Sequence, residues 1–216
     1  MQTPLIVRLQ RGLEALYRVE TGVEVEDYVI SPEMREAIVD PPARKSREQL
    51  LVAETGNETS IALFIDPAAL ANLQTHDPSR SLGDHNLGDF LLAVEGVSHF
   101  IYAICCARAD RRVTQLELEL QAEVDKYVTC LLVTNAGESL SQALRQRLFE
   151  GFEYEPDLDH DEHARYRAAN DNAHRYTTYL EHQFVARRRI PEMLGELRRF
   201  YRLGLAAKLS NIARAA

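Results

Sequence analysis

Residues 90–107, FLLAVEGVSHFIYAICCA, decide the fold. The stretch is apolar apart from Glu95, Ser98, His99, Tyr102 and its thiols, and Glu95, His99, Tyr102 and Cys106 follow the 4-3-4 spacing of one helix face. A second helix is read from VTQLELELQAEVDKYVTCLLV (113–133), which carries Glu119, Glu123, Lys126 and Cys130 at the same spacing. The link ARADRR (107–112) is short, so the two helices are expected to be antiparallel neighbours. With the turn centred near Asp110, Glu95 falls opposite Lys126, His99 opposite Glu123 and Tyr102 opposite Glu119. A charge at the centre of a membrane span costs roughly 2.5–3.5 kcal/mol. Glu95 and His99 therefore make 90–107 a buried bundle helix rather than a span. Charged groups inside an apolar helix are costly unless paired, so the two stripes need a reason.

Working outward, the pattern changes near residue 66. Leu5, Leu9, Leu13 and Leu16 recur at helical spacing and predict a helix from Pro4 to Arg18. VEVEDYVIS (23–31) reads as a strand, and Ser31-Pro32 offers a cap and first turn for a short helix to Ile38. DPPARKSRE (40–48) reads as a flexible loop. EQLLVAET and TSIALFID flank Gly56-Asn57-Glu58 as a hairpin, and Asp66-Pro67 opens a helix to Leu73. After the loop QTHDPSRSLGDHN, with Asp84 or Asn86 as cap, the chain reads as helical. Asn135-Ala136-Gly137 is a stop signal, and Ser139 with Gln142 matches a capping box opening 140–152. A long helix runs over 162–188, and Pro191 opens a last helix whose apolar face is Ile190, Leu194, Leu197, Tyr201, Leu205, Leu209 and Ile212. The expected fold is mainly α (α+β). It is a bundle of about five helices (84–216) with a small N-terminal unit (1–75) of one helix and a three-stranded antiparallel sheet.

The 216 residues are 45 % hydrophobic and 27 % charged, ordinary values for a globular protein that can bury a core. The net charge of −8 is uneven. Residues 186–216 carry eight cations against Glu192 and Glu196, a local +6, which leaves −14 on the remainder. Overall acidity disfavours a general nucleic-acid binder, while the basic amphipathic last helix predicts an acidic protein partner or docking on the chain's own body. Of the 25 cations only Lys45, Lys126 and Lys208 are lysine, the balance of GC-rich bacterial coding. Cys105, Cys106 and Cys130 lack framework spacing, which suits a reducing cytoplasm. The N-terminal stretch has regular arginines and no apolar h-region, so no signal peptide is expected.

The first chemical reading makes Glu95, His99, Glu119 and Glu123 ligands for divalent metal, since facing helices in bundles build such sites from carboxylates and histidines. Ferritin-like di-metal proteins use Glu-x-x-His, whereas here three residues separate Glu95 from His99, and Lys126 competes for Glu95. The alternative pairs Glu95 with Lys126 and His99 with Glu123 or Glu119 as a structural network.

A second reading concerns RYRAANDNAHRY (165–176). Its Arg167 and His174 resemble the Arg-x(4–6)-His pattern of HEPN-type ribonucleases, over eight residues. The resemblance implies that His174 and Arg167 act on a ribose 2′-hydroxyl and the scissile phosphate without metal, with Asn170 and His163 on the same polar face.

Other patterns carry less. The acidic run from Asp157 has an EF-hand rhythm, but Glu162 stands where glycine is required and Ala168 where the closing glutamate belongs. The run is explained by acids before a helix start. His160 and His163 lack a cysteine pair for zinc. His76-Asp77 and Asp84-His85 read as turn and cap pairs. No Gly-rich phosphate loop, nucleophile elbow or His-Glu-x-x-His helix occurs. Cys105 and Cys106 have apolar neighbours that should raise their pKa and leave them inert. The leading expectation is a cytoplasmic adaptor or regulatory protein acting through its C-terminal basic helix, with self-association left open. The alternatives are a metal-dependent enzyme, with Glu123 of the stripe assisted by Arg167 and His174, and a HEPN-like ribonuclease.

Overall fold

The computed structural model describes residues 3–39, 46–55, 58–134, 137–151 and 158–215. Helix α1 (Leu5–Tyr17) leads through a 3-10 turn (Val25–Tyr28) to α2 (Pro32–Ile38), a hairpin of β1 (Glu48–Thr55) and β2 (Glu58–Ile65), and α3 (Pro67–Thr75). Then follow α4 (Leu87–Arg108), α5 (Gln115–Val133), α6 (Glu138–Phe149), α7 (His160–Leu180) with a π-helical turn (Glu181–Val185), α8 (Ile190–Tyr201) and α9 (Leu205–Ala215). The protein is mostly helical with a two-stranded antiparallel sheet.

The centre is α4, and its stretch around Val94, Val97, Phe100 and Ile101 is fully buried. Among the described residues it is the one helix long and apolar enough to cross a membrane, and most of it is buried inside the protein. Helix α5 lies antiparallel to it across a link whose Asp110 takes the left-handed conformation (φ 48°), as the expected turn position requires. Helix α7 packs on the far side of α5, while α1, α3 and both strands pack on α4. Helix α6 fills the corner between α5 and α7, α8 docks on α1, and α9 docks on α7. One apolar cluster runs from Ile6 to Ile212.

Local chemistry explains the ends. The Ser31 hydroxyl accepts from the Met34 N–H (3.2 Å), Asp66 from Ala68 (2.9 Å) and Thr114 from Glu117 (3.2 Å), three side-chain caps with proline in the first turn of α2 and α3. Asp159 and Glu162 form a reciprocal capping box that starts α7 two residues earlier than expected. In the hairpin, Glu48 pairs with Ile65 and Leu50 with Leu63. Leu63 and Ile65 are buried, so cross-strand pairing puts Glu48 on the face that meets α4.

Four expectations are corrected. The third strand, 23–31, is a 3-10 turn with a single bridge from Val29 to Leu63. The reason is Gln10 of α1. Its amide donates to the Val23 carbonyl (2.6 Å) and accepts from the Val25 N–H (2.7 Å), taking backbone groups that a strand would pair with β2. The single last helix is two, α8 and α9, broken at Leu203-Gly204. The break turns Lys208 inward, so a residue counted with the basic tail is completely buried. Helix α7 gives way to a π turn at Glu181 rather than running to Arg188. Helix α6 begins at Glu138 behind Gly137, ahead of the expected start at 140. The flexible segment expected at 40–48 falls mostly on 40–45, which lies outside the described residues, as do Gly56-Asn57, Asn135-Ala136 and 152–157 of the acidic loop.

Candidate metal centre at the floor of a cleft

Helices α4 and α5 bring their polar stripes together, in a register that departs from the expected one along their length. Lys126 donates to Glu95 at 2.7 Å, as the spacing predicts. One turn along, the imidazole of His99 faces Glu119 (3.6 Å from Nε2) rather than Glu123, and Tyr102 donates to Glu117 (2.7 Å) rather than Glu119. A fixed pairing sum assumes parallel axes, and packed helices cross at an angle that slides the partners past one another. Glu123 is held instead by Lys126 within its own helix, at 2.8 Å.

The residue that sequence reasoning missed is Glu48, the first of β1. Its Oε1 lies 3.5 Å from His99 Nδ1. Gly96 makes this approach possible: a Cβ there would stand 3.0 Å from Glu48 Cγ and 3.2 Å from Leu63 Cδ1. The signal existed in the alternation of EQLLVAET, where Glu48 is in phase with the inward Leu50, but spacing along one strand does not say which helix its face meets. Glu48, Glu95 and His99 each offer a ligand atom, all within 4.8 Å of one another.

The electrostatics of the cluster are unbalanced. Glu48, Glu95, Glu119 and Glu123 surround one lysine and one histidine, so even an imidazolium leaves two acids in excess among the described residues. His99 and Glu48 are more than nine-tenths buried in their side chains, yet Glu48 Oε1 and His99 Nε2 have no hydrogen-bond partner. Burial works against charge on His99, but the Glu48 and Glu119 carboxylates outweigh it and hold the ring well above the usual histidine range. Burial pushes the Glu48 and Glu123 carboxyls up, against the opposing pull of His99 and of Lys126. A buried carboxylate oxygen that accepts no hydrogen bond, within an acid excess, is what a cation would satisfy.

The cluster is open to solvent on one side. A cleft of about 1110 Å³ has Glu48, His99 and Glu119 on its floor, β1 along one wall, and Arg112, Arg165 and Tyr166 at its rim.

The other candidates lie elsewhere. Arg167 is exposed on α7, while His174, about 10 Å further along the axis, accepts no contact from it. His174 instead lies 3.2 Å from Arg145 and 3.6 Å from Glu150 and stacks on Phe149. Asn170, expected on a polar face, is buried, whereas His163 is exposed. Arg145 is part of a second buried network: it forms a double hydrogen bond to Glu181 (2.9 and 3.1 Å), which also accepts from Ser141 (2.6 Å) at the π turn. Every member there is satisfied, which marks a brace. A third network centres on Asp125, which accepts from Tyr17, Ser98 (2.6 Å) and Gln121 (2.9 Å); Lys208 donates to Gln121 at 2.7 Å. Burial pushes the Cys105 thiol up, Cys106 up to about 11 and Cys130 up to about 12, the direction expected for Cys105 and Cys106.

The basic C-terminal segment docks on the chain itself. Arg198 donates to the Leu16 carbonyl (2.8 Å) and Arg202 to that of Tyr17 (3.2 Å), at the C-terminal end of α1 where cations are favoured. Arg199 is paired with Glu196 at 2.7 Å. The chain matches no family model, no curated protein and no solved structure.

Proposed function

We propose that this protein is a metal-dependent hydrolase whose divalent ion is held at the cleft floor by His99, Glu48 and Glu95. The observation that carries this reading is the buried Glu48 Oε1, which accepts no hydrogen bond and stands 3.5 Å from His99 Nδ1, inside an acid excess that opens onto a cleft. Glu95 is the weakest of the three ligands, because Lys126 already holds one of its oxygens. With Nδ1 of His99 toward the ion and Glu48, the Nε2 side faces Glu119. This is the carboxylate–histidine–metal relay that fixes tautomer and ring orientation. An ion so placed would supply Lewis acidity and lower the pKa of a bound water. Of the basic C-terminal segment, which sequence offered to an acidic partner or to the chain's own body, Arg198 and Arg202 are engaged with α1.

Calorimetric titration with Mn²⁺ tests the reading. Wild type should bind about one equivalent, and His99→Ala and Glu48→Gln should each weaken binding by about 100-fold or more. Absence of a saturable Mn²⁺ heat in wild type would sink it.

A further inference from the structure

We propose that the substrate at this cleft carries a phosphate group, gripped by the guanidinium groups of Arg165 and Arg112 above the acidic floor. The inference rests on the metal reading and gives it a substrate class.

The buried carboxylates Glu48 and Glu119 line the cleft together with Arg111, Arg112 and Arg165, and Asp110 and Glu162 stand beside those arginines. Three arginines line it, and they are not alike. Arg111 is already occupied, donating to Glu117 (2.7 Å) and Tyr102 (3.0 Å). Arg165, near the start of α7, has its Nε buried with no hydrogen-bond partner, and its Cζ lies 5.4 Å from the Tyr166 ring centroid. Arg112 is exposed at the rim. A buried donor left without an acceptor is costly, and here the acceptor would come from a ligand. The same holds for Gln49 Oε1 on the β1 wall, buried and unpartnered, which can accept from a hydroxyl or amino group on the body of the substrate.

Chemistry selects phosphate over carboxylate. Guanidinium forks match phosphate oxygens two at a time. A phosphate has oxygens enough to meet both forks and an ion together, which the two oxygens of a carboxylate do not. A site of carboxylates with one histidine suits the hard ions, such as Mg²⁺ and Mn²⁺, that bind substrate phosphates. Without the ion, the acid excess of the floor would repel the anion, so metal and arginines act together. In the reaction this implies, a water oxygen bonds to phosphorus, the bond from phosphorus to the leaving oxygen breaks, and the proton from water ends on that oxygen.

The test is calorimetric titration of inorganic phosphate into Mn²⁺-loaded wild type, Arg165→Gln and Arg112→Gln. Phosphate should bind wild type and weaken by about tenfold or more in Arg165→Gln, while Mn²⁺ affinity, which also reports folding, stays unchanged. Arg112 is exposed, so its variant reads the same effect even where Arg165→Gln disturbs the fold. Phosphate binding that is absent from wild type, or indifferent to both substitutions while Mn²⁺ still binds, overturns this inference alone. Failure of Mn²⁺ to bind wild type overturns the metal reading and this inference with it.

Discussion

At the scale of single residues, Gly96 shows how a missing side chain builds a site. It is one turn from His99, and the space its Cβ would occupy is filled by Glu48 of another element. Gly96→Ala therefore displaces the Glu48 carboxyl from His99, because the flexible glutamate yields more readily than the Leu63 side chain beside it. Alanine is about 1 kcal/mol better than glycine in a helix interior, which offsets the strain. The variant should melt within a few degrees of wild type and yet bind Mn²⁺ about tenfold more weakly. Unchanged affinity would show that Glu48 is no ligand. Lys126 makes a different point at this scale. Burial opposes its charge, but Glu123 and Glu95 hold it well above the ordinary lysine range, so it stays an ammonium and orients both carboxylates.

At the scale of elements, α9 is tied to the core by Lys208. Its ammonium stands 4.3 Å from the Tyr102 ring centroid and 5.1 Å from that of Phe200, with Glu117, Asp125, Arg111 and Cys106 as its charged and titratable neighbours. Burial pulls Lys208 down to about 7 from an ordinary 10.5, more than Glu117 and Asp125 restore. Burial pushes Asp125 up to about 6 from 3.8, against its hydrogen bonds from Ser98, Tyr17 and Gln121. The signs follow from proton counts. Between pH 3.8 and 6 the folded chain binds more protons at Asp125, so that contribution is lost as pH rises through 6. Between pH 7 and 10.5 the unfolded chain binds more protons at Lys208, so stability rises with pH there and is lost as pH falls through 7. Urea unfolding should therefore show greater stability at pH 9.5 than at pH 6.5, by roughly 2–4 kcal/mol from Lys208. Lys208→Met should remove most of that rise, and an undiminished rise in the variant would assign it to other groups.

Elements are also where legibility in the sequence can be judged. The hairpin, the caps at Ser31 and Asp66, and the antiparallel pairing of α4 with α5 were readable because they rest on local periodicity and turn chemistry. The 23–31 segment misled because its strand-like alternation is overridden by one distant side chain, Gln10. Half of the candidate site was readable as the stripe on α4 and α5. Glu48 was not, because its role depends on the hairpin folding onto α4 at Gly96, a contact between segments some 48 residues apart in the chain. Helix crossing, which spacing alone does not encode, likewise gave His99 to Glu119 instead of Glu123.

At the scale of the whole molecule, charge is sorted by role. The arginines of α8 close the end of α1, Arg145 braces the π turn against Glu181, and Lys208 anchors α9 by donating to Gln121, so each of these groups has an internal acceptor. Among the described residues the cluster between β1, α4 and α5 differs, an acid excess beneath a cleft that also holds Arg165, whose buried Nε makes no hydrogen bond. An ion there would link the hairpin to the central helix pair and stabilise the fold by about 2.7 kcal/mol at a hundred times its Kd. The central claim is tested most directly by the metal content of protein purified without an affinity tag or chelator, measured by elemental mass spectrometry for wild type and Glu48→Gln. The account predicts about one equivalent of a divalent metal in wild type, lost in Glu48→Gln while its melting in the presence of chelator matches that of wild type. Metal-free wild type, or the same metal retained in Glu48→Gln, would contradict it.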